Sequence, residues 1–506
     1  MQAKLDSFIN NITMYRLVLY VLIALIGIAT GLAAFHMLPF TPLALLASTF
    51  FLVLMCGITN FVLAAVFGVP ANVESTYITA LILALIISPA QTPTAFQFLG
   101  WAAILAMASK YILSIRNKHI FNPAAIAVVL TSFVLGESAT WWVGTTDLLP
   151  FVIIGGFLIA YKLRQVYMTM IFCATALIGT IIFAVLQGNA IATSLYQLLV
   201  GMPLFFFAFV MLTEPLTEPP TRPLRMLYGL LTGILFLPQL HFGSLYTTPE
   251  LALVIGNVFA YLVSPKFKGL LRLSQKMKIG PGYMDFIFRP AQKLAYVPGQ
   301  YMEFTLDHPH PDSRGNRRYF TLASSPTEKT MRLGVRFSEQ GSTYKQAMIK
   351  MDGKTKFMAA QIAGDFTLPS NPNQKLVFIA GGIGITPFRS MLKYLLDTRQ
   401  RRDIVLFYIN HRANEIAYAD VFNAVQTKLG IKVVYALTDM NALPPNWRGI
   451  AGRVSAEAIQ GIVPDYQERV YYLSGPPTMV SAYEEILKDM QVKSSQIKKD
   501  FFPGLA

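Results

Sequence analysis

The stretch Arg318-Tyr319-Phe320-Thr321-Leu322-Ala323-Ser324-Ser325-Pro326 offers a cation, an aromatic ring and a hydroxyl within four residues. On a strand, side chains two apart share a face, so Arg318 and Phe320 point one way and Tyr319 and Thr321 the other. That set suits a flavin dinucleotide: a guanidinium for phosphate, a ring to lie on the isoalloxazine, and a hydroxyl to hydrogen-bond near the redox nitrogen. An amphipathic strand with an arginine at its wet edge would show the same residues. The surroundings decide between the two.

Downstream, Ala380-Gly-Gly-Ile-Gly-Ile-Thr-Pro-Phe388 follows an apolar run, Lys375 to Ala380, and opens a helical pattern. Glycines there let the backbone approach a pyrophosphate, and the helix start favours anions. Ser474-Gly-Pro-Pro-Thr478 closes another apolar run in the same way. Both turns are expected at the carboxyl edge of one sheet, where such folds bind ligands.

The elements that must position these residues follow from periodicity. Between Gln275 and Thr367 short alternating runs with Gly/Pro turns, such as Gly282 to Phe288 and Met331 to Phe337, predict an antiparallel β-barrel. From Lys375 onward continuous apolar runs (375–380, 403–408, 432–436, 469–473) separated by helix-like segments predict a parallel α/β sheet.

The chain has 506 residues, of which 54% are hydrophobic, and a formal charge of +15. Residues 1–265 hold nine Lys/Arg and seven Asp/Glu, leaving thirty-three and twenty for the rest. A nearly uncharged half therefore precedes a basic one, whose +13 (33 − 20) suits contact with anionic lipid. Ten apolar stretches are expected to cross a membrane, near 17–35, 43–68, 76–89, 94–113, 121–136, 147–162, 167–187, 195–213, 226–240 and 249–264. The polar start reads as a retained first span, not a cleaved leader. With the N-terminus cytoplasmic, all nine basic residues, from Lys4 and Arg16 to Arg222 and Arg225, fall on that side. This places the basic half in the cytoplasm, at a cell inner (plasma) membrane.

Cys56 and Cys173 are the only cysteines, so neither a disulfide framework nor an iron–sulfur cluster is expected. A haem carrier would need histidine pairs inside helices. The first half has only His36, His119 and His241, each near a span's end, so no haem and no metal site is expected.

The segments "KHIFNPAA", "FVMLTEPLTEPPT", "LRMLYGLLTGILF" and "PELALVIGNVFAYLV" resemble, in order and spacing, the NqrB/RnfD membrane subunits of sodium-pumping NADH:quinone reductase and Rnf complexes. The resemblance implies ten spans and a flavin (FMN or riboflavin) held inside the membrane. The outer loop, residues 136–147, lacks the covalent FMN motif, so a non-covalent flavin near Asn122 and Thr213 is the expectation, with Thr140, Thr145 or Thr146 as the substitutes for a covalent link.

Residues 270–506 resemble the ferredoxin-NADP reductase superfamily through Pro298-Gly-Gln-Tyr301, the Arg318 strand and the two glycine turns. That implies Arg318 on the FAD pyrophosphate, Phe320 on the isoalloxazine, Thr321 near N5, and Gly341-Ser342-Thr343 as a second phosphate turn. It also implies Gly382, Gly384, Thr386 and Pro387 on the nicotinamide dinucleotide, Gly475 and Pro476 beside the nicotinamide, and Phe502 in the C-terminal aromatic region. Phe320 and Thr321 carry the catalytic assignment. NADH is favoured over NADPH, for which only Arg412 stands ready.

The expected architecture is thus a multi-pass α-helical membrane domain (1–265), an FAD-binding β-barrel domain (270–370) and an NAD(P)-binding α/β domain (371–506). The expected activity passes electrons from NAD(P)H through FAD to a membrane flavin or a quinone. Redox-driven Na⁺ or H⁺ translocation, with Glu74, Glu214 and Glu218 as the acids near span ends, and electron export to an external acceptor are the alternatives. Expected partners are NAD(P)H, a quinone or other acceptor, the bilayer, and a second copy or other redox subunits. Nothing points to nucleic acid.

Overall fold

The computed structural model describes residues 12–67, 73–115, 118–243, 245–264, 268–290, 294–312, 315–338 and 341–500. The chain divides into two compact units, the first running to Lys266 and the second covering Phe267–Phe502.

The first unit is helical. Its helices are α1 (Met14–Ala34), α2 (Pro42–Phe67), α3 (Val73–Ile86), α4 (Pro93–Ile112), α5 (Pro123–Leu135), α6 (Leu149–Lys162), α7 (Val166–Gln187), α8 (Ile191–Tyr196), α9 (Leu204–Phe206), α10 (Arg222–Leu235) and α11 (Pro249–Val263). Proline stands in the first turn of α4, α5, α6, α10 and α11, where its missing N–H costs nothing and its fixed φ suits a helix. Large apolar side chains such as Phe50, Phe61 and Val66 are exposed, as on a lipid-facing surface.

A helix or bent pair occupies each of the ten predicted stretches, but they are unequal. Four described helices, α1, α2, α4 and α7, are long and apolar enough to cross a membrane. A fifth arises if α8 and α9, extended by π-helical turns Gln197–Gly201 and Phe207–Met211 and bent by 57°, form one span. The apolar helices α3, α5, α6 and α11 have 13 to 15 residues, short of the ~20 that span comfortably. Length alone therefore supports four or five crossings.

The second unit begins with an antiparallel sheet: β1 (Lys268–Gly280), β2 (Tyr283–Arg289), β3 (Tyr301–Leu306), β4 (Arg317–Thr321), β5 (Met331–Arg336) and β6 (Phe357–Ala363). Its order is β4-β3-β6-β1-β2-β5. The first residues of β1 pair with β6 and the rest with β2, so one long strand serves both halves. The sheet's two ends approach where the Ala323 N–H donates to the Arg332 carbonyl at 2.9 Å. The core of this sheet centres on Phe286, Phe288, Phe304 and Phe357, capped by helix α12 (Thr343–Lys350).

A parallel sheet follows: β7 (Leu376–Gly381), β8 (Ile404–Asn410), β9 (Lys432–Leu437), β10 (Ile450–Ala451), β11 (Val470–Ser474) and β12 (Ile497–Lys499), in the order β10-β9-β8-β7-β11-β12. Strands β7 and β8 are buried along their whole length, which explains their unbroken apolar runs. Helices α13 (Thr386–Thr398), α14 (Ala419–Leu429), α15 (Ala456–Ile462) and α16 (Pro477–Asp489) complete the α/β layer. The strand order reverses at β7, so the crevice between β7 and β11 is its switch point.

Candidate functional site

The candidate residues lie on two elements joined through α13: the end of β4, beyond which Ala323 and Ser324 accept from Arg389 and Ser390, and the carboxyl ends of β7 and β11. Strand β4 alternates as the sequence predicts. Arg318 lies over the Tyr344 ring at 4.9 Å and Phe320 packs 6.2 Å from the same ring, whereas Tyr319 donates its hydroxyl to Glu303 on the other face.

Thr321, at the end of the strand, is 4% exposed, and its Oγ1 has no hydrogen-bond partner. A buried hydroxyl left unpaired costs about 1–3 kcal/mol, so such an atom calls for a ligand or a functional reason. Phe320 is half-buried against Phe304 and Tyr344.

Arg318 and the Gly341-Ser342-Thr343 turn, distant in sequence, come together. Ser342 caps α12 by accepting from the Lys345 N–H. The Thr343 N–H donates to Asp312 Oδ2 at 3.2 Å, and Arg318 Nη2 donates to Asp312 Oδ1 at 3.4 Å. Arg318 also donates to the carbonyls of Gly315 and Arg317. The carboxylate of Asp312, which the sequence reading missed, thus sits where a helix N-terminus and a guanidinium converge, the chemistry of an anion site.

At the parallel sheet, Gly381 to Ile385 turn tightly into α13. Gly382 adopts φ +51°, and a β-carbon there would lie 2.9 Å from the Tyr283 hydroxyl, so this corner favours glycine. Thr386 is buried with its hydroxyl turned back to the Ile383 carbonyl at 3.2 Å, and Pro387 follows in the first turn of α13. A β-carbon on Gly384 would meet Gly475 backbone atoms at 2.6 Å, so the turns after β7 and β11 touch main chain to main chain. Pro476 packs beside Gly381, and Ser474 donates to Asp500 at 2.9 Å. Phe502 lies outside the described residues.

A buried polar seam joins the two sheets. Tyr418, on the approach to α14, donates to Asp285 Oδ1 at 2.5 Å, and Arg332 approaches Asp285 Oδ2 at 3.4 Å. Burial raises the Asp285 carboxyl above its usual range despite the Tyr418 hydrogen bond and the nearby Arg389 and Arg332 charges. Arg389 of α13 binds Glu328 through both forks, at 2.7 and 3.0 Å. Burial pushes Glu328 up, but hydrogen bonds and charge from Arg389 outweigh it and hold the carboxyl below its ordinary value.

The sequence carried faint signals for these residues. Ser325-Pro-Thr-Glu328 has capping-box spacing, and Glu328 does accept from the Ser325 N–H at 2.7 Å. Arg389 falls on the apolar face marked by Ile385, Phe388 and Leu392, where an unpartnered charge would be costly.

In the helical unit the two singled-out segments meet through a third. Asn122 Oδ1 caps α5 by accepting from Ala124 and Ala125, while its N–H donates to Asn257 Oδ1 at 2.8 Å. Asn257 Nδ2 in turn donates to the Thr217 carbonyl and to the Tyr228 hydroxyl. Thr213 is buried, its hydroxyl bonded to the Phe209 carbonyl at 2.8 Å. Asn122 therefore reaches the Thr-Glu-Pro segment at Thr217, not at Thr213, and the described bonds of both predicted residues go to local backbone and Asn257. The 136–147 loop is pinned differently: Trp141 Nε1 donates to Glu250 at 2.9 Å, and Trp142 Nε1 to the Ala84 and Ile87 carbonyls. Of the acids near span ends, Glu74 pairs with Arg16 and Glu218 with Arg225, each at 3.2 Å. Among the described residues no cluster of three or more His, Cys, Asp or Glu could hold a metal ion.

Residues 378–485 match the family described as oxidoreductase NAD-binding domain. The chain is 27% identical over 233 residues to the stachydrine N-demethylase reductase subunit Stc4 of Rhizobium meliloti, covering 45% of this chain and 65% of that protein. It is 27% identical over 243 residues to a flavohemoprotein of Bacillus cereus, covering 45% and 59% respectively. The matches thus span less than two thirds of these relatives. Among solved structures, the Amycolatopsis cytochrome P450 reductase GcoB aligns with 47% of this chain and 70% of its own, at 22% identity and a TM-score of 0.41. The FAD/NAD-binding domain of the Vibrio cholerae nitric oxide dioxygenase aligns with 46% and 98%, at 18% and 0.40. The C-terminal half is an antiparallel sheet followed by a parallel sheet that matches the NAD-binding oxidoreductase domain.

Proposed function

We propose that this protein is a membrane-bound NAD(P)H-dependent flavin reductase that passes electrons from its C-terminal module to a membrane flavin or a quinone. The observation that carries the reading is the unpaired, buried Thr321 hydroxyl at the end of β4, in a chain whose Gly384 and Gly475 turns meet at the switch point and which matches the NAD-binding family. A bound flavin would supply the conversion between the two-electron hydride chemistry of NAD(P)H and one-electron transfer to the acceptor.

The residues fit such a group by their donor set. Arg318 and the Thr343 N–H face a diphosphate, Phe320 offers its ring, and Thr321 offers a hydrogen bond near the redox nitrogen. Gly382, Gly384, Gly475 and Pro476 let a dinucleotide approach the switch point, with Thr386 and Pro387 fixing the turn. In this reading residues 1–265 are a ten-span NqrB/RnfD-like membrane domain, 270–370 the FAD domain and 371–506 the NAD(P) domain, with both the N-terminus and the module cytoplasmic. The short helices α3, α5, α6, α10 and α11 would then cross where neighbouring protein satisfies their ends. Several similar proteins are reductase subunits by name, so a separate acceptor protein is part of the proposal.

The test is direct. Purified full-length protein should be yellow and should oxidise NADH with a quinone analogue; a colourless protein that releases no flavin on denaturing extraction ends this reading.

A second reading, redox-driven ion movement, is favoured by the buried Glu218 carboxylate near a proposed span end, paired with the partly buried Arg225, since ionisable groups within a membrane unit are functional by default. Proteoliposomes given NADH and quinone should then accumulate Na⁺ or H⁺; turnover without a gradient leaves the reductase alone.

A further inference from the structure

Three successive residues beyond Thr321 and Leu322 have their backbones gripped by side chains. The Ala323 carbonyl accepts from Arg389 Nη1 at 2.7 Å, the Ser324 carbonyl from Ser390 Oγ at 2.6 Å, and the Ser325 N–H donates to Glu328 at 2.7 Å. Arg389 and Ser390 are neighbours on α13, three and four residues after Thr386 at the glycine turn. Both are buried, at 4% and 0% exposure. Tyr296 holds Ser324 from the other side, its hydroxyl 2.9 Å from the carbonyl.

Apolar packing would join the two sheets as tightly, since a buried ion pair repays little of its desolvation. What the guanidinium fork adds is direction. Arg389 fixes the Glu328 carboxylate and the Ala323 carbonyl at once, and Glu328 fixes Ser325, so the segment has one register. Resting on the flavin reading above, we infer that Arg389 and Ser390 are positioning residues that hold Thr321 at a set distance from the dinucleotide turn. The path is short: two residues from Thr321 to Ala323, one hydrogen bond, and one helical turn from Arg389 to Thr386. Hydride transfer needs donor and acceptor about 3–3.5 Å apart, and an error of ~1 Å costs on the order of 10²-fold in rate.

The experiment compares full-length wild type with Arg389→Lys and Ser390→Ala. Lysine keeps the charge but loses the fork; alanine loses one hydroxyl and threatens folding least. Rapid-mixing flavin reduction at saturating NADH should slow about tenfold in each variant, with flavin per protein and the half-saturating NADH concentration unchanged. Amide hydrogen exchange of flavin-free protein should rise at residues 322–326 and not in β7. A reduction rate per bound flavin within about twofold of wild type in both variants would overturn the inference, even if the melting temperature fell, because the residues would then be structural only. Unchanged exchange at 322–326 would overturn it as well. Wild type that binds no flavin defeats the parent reading separately, and the exchange measurement still decides the clamp.

Discussion

Gly384 and Gly475 touch through their main chains: a β-carbon on the first would stand 2.6 Å from the Cα and N of the second. Neither atom belongs to a side chain that could swing aside. Gly384→Ala must therefore push the two turns apart, at about 1–3 kcal/mol for overpacking of this kind. The expected outcome is a raised KM for NADH and a lower melting temperature of the module with flavin content retained, read by steady-state kinetics and thermal unfolding.

Thr321→Val separates stability from chemistry. Valine matches threonine in shape but removes the unpaired hydroxyl, so flavin-free protein should be unchanged or more stable by about 1 kcal/mol. If the hydroxyl bonds the flavin as proposed, the same change should slow flavin reduction by NADH. Paired denaturant unfolding and rapid-mixing kinetics check both halves; loss of stability with undiminished reduction would place Thr321 in the core and not in the site.

The Arg389–Glu328 pair gives the module an acid limit. Glu328 titrates below its ordinary 4.5 in the folded state, so its contribution to stability is complete above that value and is lost as pH falls through the depressed one. Thermal midpoints measured downward from neutral pH should fall more steeply in wild type than in Glu328→Gln below about pH 4.5.

Nucleotide choice should follow Asp439. Arg412, after β8, donates to Asp439 Oδ2 at 2.9 Å, and this bond lowers the Asp439 carboxyl. The Asp439 carboxylate, bonded to Arg412 through Nε, offsets the charge that a 2′-phosphate would seek there and repels the phosphate itself. NADH should be preferred over NADPH, and Asp439→Asn should narrow the ratio of kcat/KM values by about tenfold, the scale of one charge-assisted hydrogen bond.

Much of the fold was readable because it rests on local signals. The step in charge at residue 265 and the change of period near Lys375 mark where apolar runs must pack differently, and Gly382 sits where a positive φ is required. The Arg318 strand was legible as alternation. Asp312 was not, because its role arises only when α12 and β4 converge, and sequence distance hides that. Arg389 and Glu328 were hidden for the same reason: a buried pair 61 residues apart leaves only a misplaced charge on an apolar helix face. Asn122 and Thr213 show the reverse case. Their types invited a ligand, yet a helix cap and a hydroxyl-to-backbone bond use the same atoms. Span number is less directly legible, since several of the ten apolar stretches, 76–89 and 249–264 among them, are already shorter than a bilayer in the sequence, and four or five described helices or bent pairs reach that length.

Asp312 carries a consequence for assembly of the holoprotein. A carboxylate already bridges Arg318 and the Thr343 amide, so on the proposed reading an incoming diphosphate would exchange one anion for another instead of filling an empty positive field. Loading becomes a displacement. The guanidinium and the helix start stay aligned beforehand, and added salt, which weakens the departing carboxylate as well as the arriving phosphate, should change the rate of cofactor uptake less than an open cationic pocket would allow.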